Sequence, residues 1–293
     1  MSGGVAVIGE MAFRLARSPL RKLVPASLKR PIVRAMLKNT YESLIVGGGI
    51  ESTIGLSPTR RRLASSHFQH REKADVAMAA ATSWYGGDYF EFGARDLNTF
   101  RNFLSAFHIA GLDEPFPDTR FYAFDVFGDL SSQDEKTAKT MRDFDSRTSY
   151  FSQQFPRGDD LPRHQRLLAE HGLFVDRCEL VQGFFADTLT PARAAAYKAE
   201  GREIGFAFID CNFEEFYREV FAFIFPLLAA NAYIYLDEGL QSSQVLTCFE
   251  QFDAALRERR GIGCAPVRPA GAFGILYRVY PLRPNLPPLQ LPV

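Results

Sequence analysis

From about residue 88 onward, short apolar runs alternate with longer amphipathic stretches. Residues 88–93 read as a strand, and the pattern that follows reads as a helix through residue 110. Residues 120–125 form a second expected strand, and residues 162–171 a helix. A third strand over 179–183 precedes an alanine-rich helix over 191–200. A fourth strand over 204–210 precedes a helix over 214–228 with aromatic residues on one face. A fifth strand over 232–237 leads into a long helix over 242–260, a turn at 261–263 and a last strand over 272–279. Strands that alternate with helices predict a doubly wound α/β fold, a mostly parallel sheet with helices on both faces. The nearly continuous apolar runs at 204–209 and 232–236 suit strands buried on both sides. In such sheets ligands bind beyond the carboxyl ends of the strands, where the strand order reverses.

The residues at those ends carry the candidate chemistry. The first strand closes on Glu91, Phe92 and Gly93, the second on Asp125, the fourth on Asp210, Cys211 and Asn212, the fifth on Asp237 and Glu238. Gly93 lets backbone approach a ligand closely. An acid closing the next strand can accept from ribose hydroxyls. The segment after Gly93 lacks the later glycines of a dinucleotide fingerprint, so a nucleoside without phosphates is the better ligand. Asp210, Asp237 and Glu238 offer the carboxylate oxygens that hard divalent cations prefer. A bound cation would lower the pKa of a hydroxyl beside it. The alternative is that Asp125, Asp210 and Asp237 cap the following helices while Glu238 is solvated.

Composition narrows the classes. The 34 basic and 34 acidic residues balance to a net charge of zero, so no nucleic-acid partner is expected. The four cysteines form no CxxC pair, which argues against a disulfide framework or zinc ribbon and fits a cytoplasmic protein. No apolar run has the length of a transmembrane segment, and no secretory signal is evident. Between Met11 and Tyr41 basic residues (Arg14, Arg17, Arg21, Lys22, Lys29, Arg30, Arg34 and Lys38) occur without an acidic one, cut into short pieces by Pro19, Pro25 and Pro31. This segment reads either as an anionic-surface contact or as a helical arm that packs on a second subunit or over the site. Residues 1–74 are therefore expected to be a basic helical arm or lid, and residues 75–293 the main domain, with a polar insertion at 128–160.

The strand-end residues also carry a family resemblance. Asp88-Tyr89-Phe90-Glu91-Phe92-Gly93, Phe124-Asp125-Val126-Phe127-Gly128-Asp129-Leu130, Gly183-Phe184-Phe185-Ala186-Asp187-Thr188-Leu189, and the pair Ile209-Asp210-Cys211-Asn212-Phe213 with Tyr235-Leu236-Asp237-Glu238 occur in one order. They resemble blocks of the TylF/MycF (macrocin O-methyltransferase) family, class I S-adenosylmethionine-dependent methyltransferases. The resemblance covers residues of about 75–280. It implies a seven-stranded sheet with its last strand antiparallel, and methyl transfer to a hydroxyl of a small polar or sugar-bearing metabolite in natural product biosynthesis. It implies cofactor contacts from Glu91, Phe92, Gly93, Asp125, Phe185, Asp187 and Asp210, and magnesium ligation by Asp210, Asp237 and Glu238. The insertion would cover the substrate, and self-association through the N-terminal arm is implied because members often associate.

Departures from the family pattern bear on the chemistry. Asn212 stands where the family has a candidate base, and an amide cannot take a proton. Glu238 replaces an Asp and is one methylene longer. The catalytic set is accordingly Asp210, Asn212 and His108, with Asp210, Asp237 or His108 as base. The departures also admit transfer to an amine or acid, or a non-catalytic member that binds cofactor or a partner. Of the other histidines, His67 and His70 share a helical face and could belong to a lid or to the surface. Cys211 reads as a packed thiol, and Tyr217 as core or as a contact to the acceptor. No GxSxG elbow supports hydrolysis.

Overall fold

A computed structural model describes residues 71–128, 161–240, 242–270 and 273–282. The basic N-terminal segment, His67, His70 and nearly all of the 128–160 insertion lie outside the described residues. The chain divides into two units, residues 1–82 with 98–117 and residues 83–97 with 118–293. The first unit contains α1 (Arg71–Thr82) and α2 (Asn98–Ile109). Phe100, Phe103, Leu104 and Phe107 of α2 recur at spacings of three and four, and they are buried together with Asn102, Ser105, Ala106 and His108.

The second unit holds the sheet. Its elements run β1 (Asp88–Phe92), β2 (Phe121–Asp125), α3 (Leu161–His171), β3 (Cys178–Gln182), α4 (Phe185–Thr188), α5 (Pro191–Ala199), β4 (Ile204–Ile209), α6 (Glu214–Ile224), β5 (Leu228–Leu236), α7 (Ser243–Arg260), β6 (Ile262–Ala270) and β7 (Gly274–Pro281). The seven strands lie in the order β3-β2-β1-β4-β5-β7-β6. The first five pair in parallel, and β7 runs antiparallel to both β5 and β6. The mostly parallel, doubly wound sheet and the antiparallel last strand are as expected.

Alternation of side chains explains the burial. Phe90, Phe92, Tyr122, Phe124, Ala207, Ile209, Ile234 and Leu236 join residues of α5, α6 and α7 in one apolar core. Its centre is aromatic: the Phe124 ring lies 5.1 Å from Phe92 and 5.6 Å from Phe223. Each such ring, fully buried, contributes roughly 1.5–3 kcal/mol through apolar area removed from water. Thr190 caps α5, accepting from the Arg193 N–H at 3.2 Å, with Pro191 at the first helical position. Ser242 caps α7 through the Val245 N–H at 3.2 Å, and Gly261, left-handed at φ 63°, ends it. Among the described residues no helix is long and apolar enough to cross a membrane.

Two elements differ from expectation. The helix expected through residue 228 stops at Ile224, and β5 starts at Leu228. Pro226 has no N–H to continue the helical ladder, which ends the helix and leaves time for a longer strand. Residues 262–270, where the turn at 261–263 was the one element expected, form β6. Pro266 and Pro269 hid it, yet proline is tolerated on an edge strand and at bulges. β6 is the sheet's edge, and its register shifts between Pro266 and Arg268.

Candidate functional site

The parallel ladder continues one residue past the carboxyl ends of four strands. Gly93 N–H donates to Phe124 O (2.9 Å), Gly183 N–H to Asp125 O (3.0 Å), Asp210 N–H to Phe92 O (2.9 Å) and Asp237 N–H to Ile209 O (3.0 Å). These bonds set Asp125, Gly93, Asp210 and Asp237 side by side in a row. The strand order reverses between β1 and β4, so the switch point falls at Gly93 and Asp210.

Gly93 has φ 86°, and a Cβ there would stand 1.9 Å from the Asp210 carbonyl oxygen. The close approach that requires glycine is thus made by the chain itself, across the switch point. Beyond Gly93 the loop takes left-handed backbone at Arg95 (φ 42°) and Leu97 (φ 59°), and Phe127 (φ 43°) does so after β2. Such conformations are costly for residues with a Cβ and persist where surrounding contacts fix them. Asp125 supplies such contacts at Arg95 and Phe127. Its Oδ2 accepts from the Arg95 N–H at 2.8 Å and its Oδ1 from the Phe127 N–H at 3.3 Å. Asp125 therefore ties the β1 and β2 loops together. Burial pushes its pKa up, while the N–H groups of Arg95, Phe127 and Val126 and the charge of His164 oppose the rise. Gln182 Nε2 donates to Phe127 O at 3.0 Å, and the His164 ring lies 4.9 Å from Phe127.

Glu91 is fully buried on the sheet face and accepts from the Tyr89 hydroxyl two residues earlier. Burial, then the Glu91 carboxylate, raises the Tyr89 pKa well above the usual phenol value, so the phenol keeps its proton. Phe92 is wholly within the core, and Phe185 packs edge-to-face on it at 6.3 Å. Phe185 and Asp187 lie on α4, which follows Gly183 and the N-cap Phe184, with Asp187 exposed.

Asp210, Asp237 and Glu238 each place one carboxylate oxygen within 4.8 Å of the others. None caps a helix: the N-cap positions of α6 and α7 are Phe213 and Ser242. The capping alternative for Asp210 and Asp237 is thereby removed. Two tyrosines reach this cluster. The Tyr217 hydroxyl donates to Glu238 Oε2, lies 3.3 Å from Ile209 O, and is met by the Glu238 N–H at 3.4 Å. The Tyr235 hydroxyl donates to Asp237 Oδ1 at 2.7 Å. Burial holds both phenols well above their usual pKa, followed by the Cys211 thiol and Glu238 for Tyr217 and by Asp237 for Tyr235. Three carboxylates so close together match the oxygen ligands of a divalent cation. Oxygens about 2.0–2.6 Å from a common ion can be that far apart.

Tyr217, expected in the core or at the acceptor, is fully buried with its hydroxyl engaged by Glu238. Cys211 is buried, and burial ahead of Glu238 and Asp210 pushes its thiol pKa well up, in keeping with a packed thiol. Asn212 is exposed and left-handed at φ 64°, a conformation asparagine tolerates. His108 belongs to the first unit, where its Nδ1 lies 3.6 Å from Asp113. Tyr89 and Tyr235 were not among the expected site residues. Each precedes its acid by two positions on a strand, and that spacing puts both on one face.

The sequence matches no family model and no curated protein. The structure is similar to that of the O-methyltransferase NovP, with a TM-score of 0.51 at 12% identity over 72% of this chain and 80% of that one. It also aligns with the O-methyltransferase TomG from Streptomyces achromogenes, at TM-score 0.47 and 14% identity over 79% of this chain and 95% of that one. For CalS11, a TDP-rhamnose 3'-O-methyltransferase of calicheamicin biosynthesis, the values are 0.41 and 19% over 83% and 92%. The likeness to NovP is one of fold.

Proposed function

We propose that the chain is an S-adenosylmethionine-dependent O-methyltransferase whose acceptor is a hydroxyl of a small polar or sugar-bearing metabolite, with a divalent cation assisting. One observation carries the reading. The ladder sets Asp125, Gly93, Asp210 and Asp237 in a row across the switch point, with Glu238 completing a three-carboxylate cluster. The fold shared with NovP and the order of the four sequence blocks support it. The absence of a phosphate-cradling glycine loop supports a cofactor without a pyrophosphate.

In this reading Asp125 accepts from the ribose hydroxyls with lone pairs left over from the two loop N–H groups. Phe185 and Asp187 flank the adenine, and Glu91, Phe92 and Gly93 lie toward the methionine end. Asp210, Asp237 and Glu238 would hold Mg²⁺. The cation, when bound, supplies positive charge that favours ionisation of a hydroxyl beside it. The acceptor oxygen attacks the sulfonium methyl in line, a C–O bond forms as the S–CH₃ bond breaks, and S-adenosylhomocysteine leaves. The hydroxyl proton passes to a carboxylate of the cluster, Asp210 or Asp237. Most of the rate gain comes from holding methyl and acceptor in line.

A second reading is a non-catalytic member that retains cofactor binding. The observation favouring it is Asn212, an exposed amide at the end of β4 that cannot take a proton. Calorimetric titration of S-adenosylhomocysteine, with Mg²⁺ and with EDTA, tests the shared part of both readings. Micromolar binding is expected, with added heat in Mg²⁺, and no binding in either buffer overturns both. Methyl transfer to any acceptor then separates the first from the second.

A further inference from the structure

The carboxylate cluster is held from behind by phenols on two different elements. Tyr217 comes from α6, is fully buried, and has its ring 5.9 Å from that of Phe221. Its hydroxyl meets both the carboxylate and the backbone N–H of Glu238, and lies 3.3 Å from the carbonyl of Ile209, the residue before Asp210. One oxygen atom thus bridges the end of β4 to the end of β5, the two strand ends that bear the cluster. Tyr235 does the corresponding work within β5, donating to Asp237 Oδ1 at 2.7 Å and lying 3.4 Å from Ala270 O of β6. Glutamate has one more rotatable bond than aspartate, so Glu238 has more freedom to lose when it joins a fixed cluster. A donor clamped to its Oε2 removes that freedom.

We propose that Tyr217 and Tyr235 are positioning residues of the cation site, each fixing one carboxylate of the cluster, and that Tyr217 and Glu238 form a matched pair. This rests on the metal part of the function proposed above. Partners that hydrogen-bond metal-ligating carboxylates orient them and tune their affinity, and their loss typically costs 10–100-fold. Phenylalanine at either position keeps the ring and removes only the donor.

The test is Mn²⁺ binding to the full-length protein, by calorimetry, for the wild type, Tyr217→Phe, Glu238→Asp and the double variant. Tyr217→Phe is expected to weaken Mn²⁺ about 10–100-fold. Glu238→Asp draws the carboxylate back from the phenol, so the double variant should bind no worse than Glu238→Asp alone. S-adenosylhomocysteine affinity in EDTA should be the same in all four. A Tyr217→Phe protein that binds Mn²⁺ like the wild type, or two losses that simply add, overturns the pairing while leaving the metal site standing. A wild type that binds S-adenosylhomocysteine but no Mn²⁺ overturns the metal reading and the pairing together. If Tyr217→Phe does not fold, Tyr235→Phe carries the same expected loss through Asp237, and unchanged Mn²⁺ affinity there overturns the proposal.

Discussion

Replacing Gly93 with alanine should damage both the fold and the site, and the structure separates two causes. The first is backbone conformation: φ is 86°, where a Cβ costs roughly 1–2 kcal/mol. The second is collision. The new Cβ would stand 1.9 Å from the Asp210 carbonyl oxygen and 2.8 Å from its carbon. Cβ contacts are essentially never under 3.0 Å, so the ends of β1 and β4 must part by at least about 1.1 Å (3.0 less 1.9). Overpacking of this kind costs about 1–3 kcal/mol more. Gly201 is the matched control. Its φ is 74°, but a Cβ there meets nothing within 4 Å, so Gly201→Ala incurs only the backbone cost.

Thermal melting of the two variants isolates the steric part. At about 2–4 °C per kcal/mol for a chain of this size, Gly93→Ala should melt roughly 2–12 °C below Gly201→Ala. The site should register the difference more sharply. A displacement of about 1 Å at a reacting centre can cost on the order of 100-fold in rate. Gly93→Ala should therefore lose S-adenosylhomocysteine affinity and turnover that Gly201→Ala retains. Equal melting temperatures and equal affinities would refute the claim that the switch point depends on contact between Gly93 and Asp210.

Other expectations follow from the same geometry. Asp210→Ala should abolish turnover and leave S-adenosylhomocysteine affinity nearly intact, and surviving turnover would show that the cluster is not the metal site. Asp88, at the opposite end of β1, is almost fully buried, and its pKa is raised to about 6 by burial, against the Arg120 N–H at 2.7 Å and Arg202 at 3.6 Å. Because the folded value exceeds the unfolded 3.8, the folded state holds the proton more tightly, and this contribution is present below pH 4 and lost as pH rises through 6. Denaturant titrations should show wild type losing about 2 kcal/mol relative to Asp88→Asn between pH 4 and pH 7, and a flat difference would contradict the burial argument. Gly274→Ala would put a Cβ 2.2 Å from the Tyr235 hydroxyl, so it should weaken Mn²⁺ binding with little effect on S-adenosylhomocysteine, and unchanged Mn²⁺ affinity would count against Tyr235 as a positioning residue.

The pattern of apolar runs was enough to place β1, β2, β4 and β5, because strands buried on both faces leave a dense hydrophobic signature, whereas β3 is an edge strand and largely exposed. The pattern failed at β6, where an edge strand needs only one paired side and so can carry Pro266 and Pro269, which break the signature of a strand. The acids at the strand ends were visible for the same reason as the strands: each closes an apolar run. What they do there was not. Capping and ligation make the same demand on an Asp after a strand. Only the three-dimensional result, with Phe213 and Ser242 at the N-caps, separates them.

The tyrosines show where a local reading stops and a spatial one begins. Tyr89 with Glu91 and Tyr235 with Asp237 are the same device written twice, a phenol two residues before an acid on a parallel strand. Period-two alternation makes each pair neighbours on one face, so the repeat was available to a reader looking for donors to buried acids. Tyr217 and Glu238 are 21 positions apart, on a helix and at a strand end, and no periodicity relates them. Their meeting follows from the crossover that lays α6 against β4 and returns the chain to β5 beside it. In the sequence the longer side chain of Glu238 is a departure from the family pattern. In the fold the added methylene comes with a buried donor, and the departure is better understood as one half of a pair whose other half lies on α6.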